Sequence, residues 1–182
     1  MLVLGIDPGT ATTGYGLVEA STDGQVVAVH YGVLTTPAGA ALPQRLLRLH
    51  RALQQLLEQY QPQAAAVEKL FFQRNVTTAM SVGQARGVVL LTLAAQGLPV
   101  AEYTPNEVKE AITGYGSAGK SQMQRMVQML LNLETLPRPD DAADALAVAL
   151  CHAQYLRWQA SVDRQESPSA GRPTPFPKKD RQ

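Results

Sequence analysis

The sequence predicts an α/β protein with a mixed five-stranded sheet and helices on both faces. Three observations predict it. Three short apolar runs at the start are joined by tight turns. A helix-spaced leucine stripe and a second apolar helix then alternate with two further short runs. After the last of these the pattern is helical as far as Arg157.

The first run, Leu2–Ile6, leads into Asp7 and turns at Pro8-Gly9. The second, roughly Gly14–Ala20, turns at Thr22-Asp23-Gly24 into the third, roughly Val26–Thr35. Gaps this short suit hairpins, so the three runs are expected as antiparallel neighbours. Leu46, Leu47, Leu49, Leu53, Leu56 and Leu57 lay an apolar stripe along one helix face, and Pro62 ends that helix. Ala64-Ala65-Ala66-Val67-Glu68 then reads as a buried strand. Strand, helix and strand make a crossover unit, which favours a parallel pairing.

The next helix, roughly Asn75–Gln96, is apolar on more than one face through Met80, Val82, Ala85, Val88, Val89 and Leu91. Such a helix must be covered on two sides. The sheet supplies one cover; a second subunit or another helix of the same chain supplies the other. Val100–Tyr103 is a further short strand. Thr104-Pro105-Asn106-Glu107 has the form of a helix start with Pro at its first position. Gly114 to Gly119 is a loop, and Met123, Met126 and Met129 mark the packing face of the helix after it. Pro137 and Pro139 precede a last helix, roughly Asp140–Arg157. Residues 1–157 are therefore read as one domain. Residues 158–182 carry four prolines and several charges and are read as a disordered tail.

Composition narrows the class. The 182 residues are 45% hydrophobic, enough for a full core, and carry a formal net charge of only +1. Any nucleic-acid role must then come from local clustering of basic residues. One cysteine, Cys151, excludes an intrachain disulfide and a cysteine-based zinc site. No signal peptide is visible, and the most apolar run, Gly87 to Ala95, is too short for a bilayer span of ~20 residues. A cytoplasmic protein without membrane contact is the expectation.

The chemistry lies in the acids. Asp7 ends a buried apolar strand with no Lys, Arg or His beside it in sequence, and such a carboxylate needs a partner. Glu68 ends the strand that pairs with the first one, so both acids leave the sheet at the same edge. Asp141 and Asp144 are three apart and share a helix face. Ala142, Ala143, Ala145 and Ala147 let that helix approach the sheet closely. Converging carboxylates repel unless a hard cation offsets them, and all-oxygen donors suit Mg²⁺ or Mn²⁺. Two such ions suit in-line displacement at phosphorus. Asp140 stands beside Asp141, and the spacing leaves open which of the two joins Asp144; either can also cap the helix. Cys151 and His152 read as a core thiol and a helix-surface imidazole. His30 and His50 sit alone.

Six segments in register resemble RuvC-type Holliday junction resolvases. They are Gly5-Ile6-Asp7-Pro8-Gly9-Thr10, Gly14-Tyr15-Gly16, Val67-Glu68, Gly83-Gln84-Ala85-Arg86-Gly87, Gly116 to Gln122, and Asp141-Ala142-Ala143-Asp144-Ala145-Leu146. The resemblance implies an RNase H-like fold and a homodimer. It implies a catalytic site of Asp7, Glu68, Asp141 and Asp144 binding Mg²⁺ or Mn²⁺, two ions per site, and paired nicks across a four-way DNA junction. It also implies the RuvA and RuvB branch-migration proteins as partners. Phe71 and Phe72 match aromatic positions set against bases, with one expected buried and Phe71 the DNA contact. Lys109 and Lys120 match basic positions near the scissile phosphate. Arg74, Arg86 and Arg125 are candidate backbone contacts. Lys69 departs from the pattern and would alter the local field, and some relatives carry His at the place of Asp141.

The turn Asp7-Pro8-Gly9-Thr10 with Gly14 also resembles the phosphate-binding hairpin of sugar kinases and actin-like ATPases. Those proteins need two lobes and a second acid-glycine motif, which this sequence lacks. A junction binder without catalysis is the third class. It gains nothing from acids facing phosphate.

Overall fold

The computed structural model describes residues 1–21, 23–70 and 76–166. Its strands are β1 (Leu2–Asp7), β2 (Thr12–Ala20), β3 (Val26–Thr35), β4 (Ala64–Glu68) and β5 (Val100–Tyr103). Its helices are α1 (Leu42–Tyr60), α2 (Val76–Ala95), α3 (Pro105–Thr113), α4 (Lys120–Leu130) and α5 (Asp140–Glu166). The sheet order is β3-β2-β1-β4-β5. The first three strands pair antiparallel, and β4 joins β1, and β5 joins β4, in parallel. The hairpin and crossover expectations hold.

Two cores flank the sheet. On one face Leu4, Ile6 and Leu17 meet Leu49 and Leu53 of α1 and Ala85, Val89 and Leu93 of α2. On the other, Val3, Val18 and Ala66 meet Leu146, Ala149 and Leu150 of α5, with α3 and α4 closing over the end. The helix starts are locally encoded. Thr104 caps α3 in a capping box with Glu107. Gln61 at the C-cap of α1 is left-handed (φ 48°), and Pro62 prevents continuation. No helix of the described residues is long and apolar enough to cross a membrane.

The close packing of α5 has a cause on the sheet side as well as in its alanines. Gly5, Gly14 and Gly16 present bare backbone to it. A Cβ on Gly16 would stand 2.8 Å from the Leu146 Cα, and one on Gly14 would collide with the Asp141 carbonyl. Glycine inside a strand marks such an approach.

Several expectations are corrected. α5 runs to Glu166 rather than ending at Arg157, so residues 158–166 are helical and not tail; residues 167–182 lie outside the described residues. His152 is not on the surface: it is 5% exposed, and its Nδ1 shares a 2.9 Å hydrogen bond with the Tyr103 hydroxyl. Neither His30 nor His50 sits alone: His30 Nδ1 shares a 3.2 Å hydrogen bond with the Tyr15 hydroxyl, and His50 Nδ1 bonds Thr92 Oγ1 at 2.7 Å between α1 and α2. In the methionine series Met123 is buried, but Met129 is 72% exposed. α2 is covered by the sheet and by α1, yet Met80 and Leu91 remain 66% and 67% exposed on its outer side.

Candidate active site

The register of the sheet brings the first two acids together. Ile6 lies opposite Val67 across the β1–β4 pair, so Asp7 and Glu68 leave neighbouring parallel strands side by side. They are close enough to share a hydrogen bond. Burial, then the charges of Glu68 and Asp144, push the Asp7 carboxyl from 3.8 up to about 8. Glu68 is also raised, first by burial; its hydrogen bond with Asp7 and the charge of Lys109 act against the rise. Two carboxyls buried side by side resist ionising together, so the pair as a unit favours keeping a proton.

The turn after Asp7 is braced from within. Thr13, 1% exposed, donates from Oγ1 to the Gly9 carbonyl at 2.7 Å. Thr36 Oγ1 donates to the Thr10 carbonyl at 2.6 Å, and Arg45 Nε donates to Thr36 at 2.9 Å. The Asp7 carboxylate therefore leaves a backbone with little freedom.

The helix-borne acids come from the first turns of α5. Gly14 is the cross-strand partner of Asp7 and is also the glycine on which the Asp141 backbone rests. That contact sets Asp141 beside Asp7. Asp144 is raised by burial; Lys120 beside it opposes the rise, and Asp140 and Asp141 add to it. Asp140 differs. Hydrogen bonds from Lys120 and then Gln124 hold its carboxyl below the usual range. Asp141, unlike Asp140, contributes to the field at Asp7. Neither caps α5: the amides of Ala142 and Ala143 bond back to the Pro139 carbonyl.

Glu68, Asp144, Lys109 and Lys120 line one cavity of about 250 Å³. Lys120 Nζ stands 3.1 Å from Asp140 and 3.7 Å from Asp144. Among the described residues, no three of the His, Cys, Asp and Glu side chains are already drawn together in a metal-gripping cluster. Asp7 and Glu68 leave neighbouring strands side by side, and Asp144 lies 3.7 Å from Lys120 Nζ. The donor set nevertheless fits a hard divalent cation. It is all carboxylate, and the carboxyls of Asp7, Glu68 and Asp144 are raised first by burial and then by the charge of neighbouring carboxylates.

The remaining predicted contacts divide. Arg86 is ion-paired with Glu102 of β5 and braces α2. Arg125 is exposed on α4. Lys69 is exposed and its charge acts on Glu107. Phe71, Phe72 and Arg74 lie outside the described residues. Gly14 and Gln124 were missed as site-building residues. Gly14 had a readable signal, a glycine inside a strand pattern; Gln124 had none.

A mixed sheet of this order, with acids leaving its two central parallel strands and a helix start closing over them, places the chain in the RNase H-like class. The chain belongs to the crossover junction endodeoxyribonuclease RuvC family, whose model matches residues 3–152. It is 58% identical over 163 residues to the crossover junction endodeoxyribonuclease RuvC of Syntrophomonas wolfei, spanning 90% of this chain and 94% of that protein. The Moorella thermoacetica relative is 56% identical over 172 residues, spanning 94% and 100%. Among solved structures, Thermus thermophilus RuvC in complex with Holliday junction substrate matches at a TM-score of 0.79 and 37% identity, over 87% of this chain and 96% of that one.

Proposed function

We propose that this chain is a structure-selective endonuclease. It resolves four-way (Holliday) DNA junctions by paired nicks during homologous recombination and repair. The observation that carries the reading is the convergence of Glu68, Asp144, Lys109 and Lys120 on one cavity beside Asp7. Carboxylates and lysines together suit a phosphodiester, because the acids hold cations and the lysines meet phosphate charge. The family and the likeness to a junction-bound relative support the substrate.

Asp7, Glu68, Asp141 and Asp144 would hold Mg²⁺ or Mn²⁺, two ions per site. Such ions supply charge neutralisation at phosphorus and an activated water when bound. The chain's own groups do the rest. The braced Asp7 turn fixes the first carboxylate. A cation held by Asp7 would require its carboxyl, raised by burial and by Glu68, to be deprotonated. Lys109 offsets charge next to Glu68, and Lys120 does so next to Asp144. Of Phe71 and Phe72, which follow Glu68 in sequence, Phe71 would stack on a base near the junction centre, at ~1–3 kcal/mol per base.

A homodimer fits the substrate, since a two-fold axis presents two equal sites to two equal strands. The outer face of α2 supports it. Met80, Gln84, Gly87, Leu91 and Ala94 are exposed there at helical spacing and carry no charge. Leu91→Glu is expected to shift the chain from dimer to monomer in sedimentation; an unchanged mass would remove α2 from the interface. The RuvA and RuvB branch-migration proteins are the proposed partners, in the cytoplasm.

The test is incubation with a synthetic four-way junction and with linear duplex, each with Mg²⁺ or Mn²⁺. Symmetric nicks in the junction alone are expected. ATP turnover without cleavage would favour the kinase-like reading. Tight junction binding without cleavage under either metal would favour a pure binder.

A further inference from the structure

Asp140 is the acid that the proposed cation site leaves over. It opens α5 one residue before Asp141, yet its carboxylate turns to donors on other segments. Gln124 Nε2 donates to Oδ1 at 2.9 Å, and Arg138 Nη1 donates to the same oxygen at 2.7 Å. Lys120 Nζ pairs with Oδ2 at 3.1 Å. Gln124 is only 7% exposed, so its amide is a fixed anchor rather than a solvated contact. The Lys120 ammonium is also 3.7 Å from Asp144 Oδ2 and lines the cavity it shares with Glu68 and Lys109.

A lysine has a flexible stem, and its side chain is 57% exposed here. Left alone it would sample many rotamers away from the cavity. Two carboxylates hold it in place, but they are not equivalent. Asp144 belongs to the proposed cation site, and a cation there competes with Lys120 for the same oxygens. Asp140, secured to Gln124 and Arg138, keeps its hold.

We propose that Asp140 is a positioning residue that keeps the Lys120 ammonium at the mouth of the carboxylate cavity when Asp144 is engaged by a cation. It rests on the nuclease reading above. Lys120 then meets the phosphate of the strand to be cut already in place, and the gain is in rate rather than in affinity.

Two variants separate positioning from folding. Asp140→Asn keeps an oxygen for Gln124 and removes the charge that holds Lys120; Asp140→Ala removes both. Each is expected to slow single-turnover cleavage of saturating junction about 5- to 20-fold, with junction Kd changed less than about two-fold. In a Lys120→Ala background neither should slow it further, because the two residues act as one unit. In DNA-free protein with saturating Mg²⁺, so that Asp144 is engaged, reductive methylation of Lys120, read by mass spectrometry, should run several-fold faster in Asp140→Asn than in wild type. Lys109 should not change.

Wild-type cleavage by Asp140→Asn would overturn the proposal. So would losses that multiply with Lys120→Ala, or an unchanged methylation rate at Lys120. If the wild-type chain cuts no junction, the nuclease reading fails instead, and the methylation rates alone decide whether Asp140 places the lysine.

Discussion

The two halves of the carboxylate site are built in different ways. Asp7 and Glu68 stand at the ends of neighbouring parallel strands, where the ladder fixes their separation. Strands in a sheet are ~4.8 Å apart, so the register alone forces two like charges together. Asp141 and Asp144 stand on the opening turns of a helix, placed by how far that helix sinks onto Gly14 and Gly16. The strand half is rigid and crowded, and burial with the neighbouring charge pushes its carboxyls up. The helix half is adjustable and is eased by a lysine. A cation site assembled from both then depends on sheet register for one pair and on helix docking for the other.

The largest effect should come from breaking the docking. Gly14→Val puts a branched side chain where the Asp141 backbone rests, with no room to yield. A loss of about 3 kcal/mol or more in urea unfolding is expected, with no detectable cleavage. Gly39→Ala is the control: nothing lies within 4 Å of a Cβ there. It should stay within about 0.5 kcal/mol of wild type.

Next is the strand half. Asp7 has a folded pKa of about 8 against an ordinary 3.8, so the folded state binds the proton more tightly than the unfolded one. Its contribution is fully present below pH ~4 and is lost as pH rises through ~8. Cation-free protein should therefore lose about 2–4 kcal/mol of stability between those limits, and Asp7→Asn should flatten the profile. A steep loss that persists in Asp7→Asn would place the proton elsewhere. In wild type, Mg²⁺ or Mn²⁺ binding should release protons near pH 7.

Smaller is Lys109→Ala. Its charge acts on Glu68. Cleavage should slow about 10- to 100-fold at saturating junction, with the fold unaffected. Smallest is Arg86→Met, which breaks the pair with Glu102. A stability loss of about 1 kcal/mol is expected with the salt dependence of DNA binding unchanged, since this arginine braces α2 rather than contacting phosphate. A shallower salt slope would return Arg86 to the DNA surface.

The same division explains what the sequence made legible. A strand reads as an alternation or an apolar run, so Leu2–Ile6 and Ala64–Val67 located themselves, and each strand's terminal acid was exposed as an anomaly. The parallel pairing followed from the connecting helix, and convergence at one sheet edge followed from that. The helix half was legible only in composition. The alanines after Asp141 showed that α5 packs closely, but the glycines that receive it sit in other strands, and contact between them is tertiary. Asp140 could not be separated from Asp141 by spacing, because what separates them is Gln124 and Lys120, sixteen or more residues away in another helix. His152 was misread as a surface group for the same reason: its partner is Tyr103 on the far side of the chain order. The extension of α5 to Glu166 was hidden by a tail-like composition that begins inside the helix.

The most direct test of the central claim compares wild type with Asp7→Asn on a synthetic four-way junction. Binding is measured without metal, and cleavage after adding Mg²⁺ or Mn²⁺. The account predicts junction affinity within about three-fold of wild type and cleavage reduced by about 10³-fold or more, because only the proposed cation-holding carboxylate is lost. Nicking by Asp7→Asn at close to the wild-type rate would contradict it.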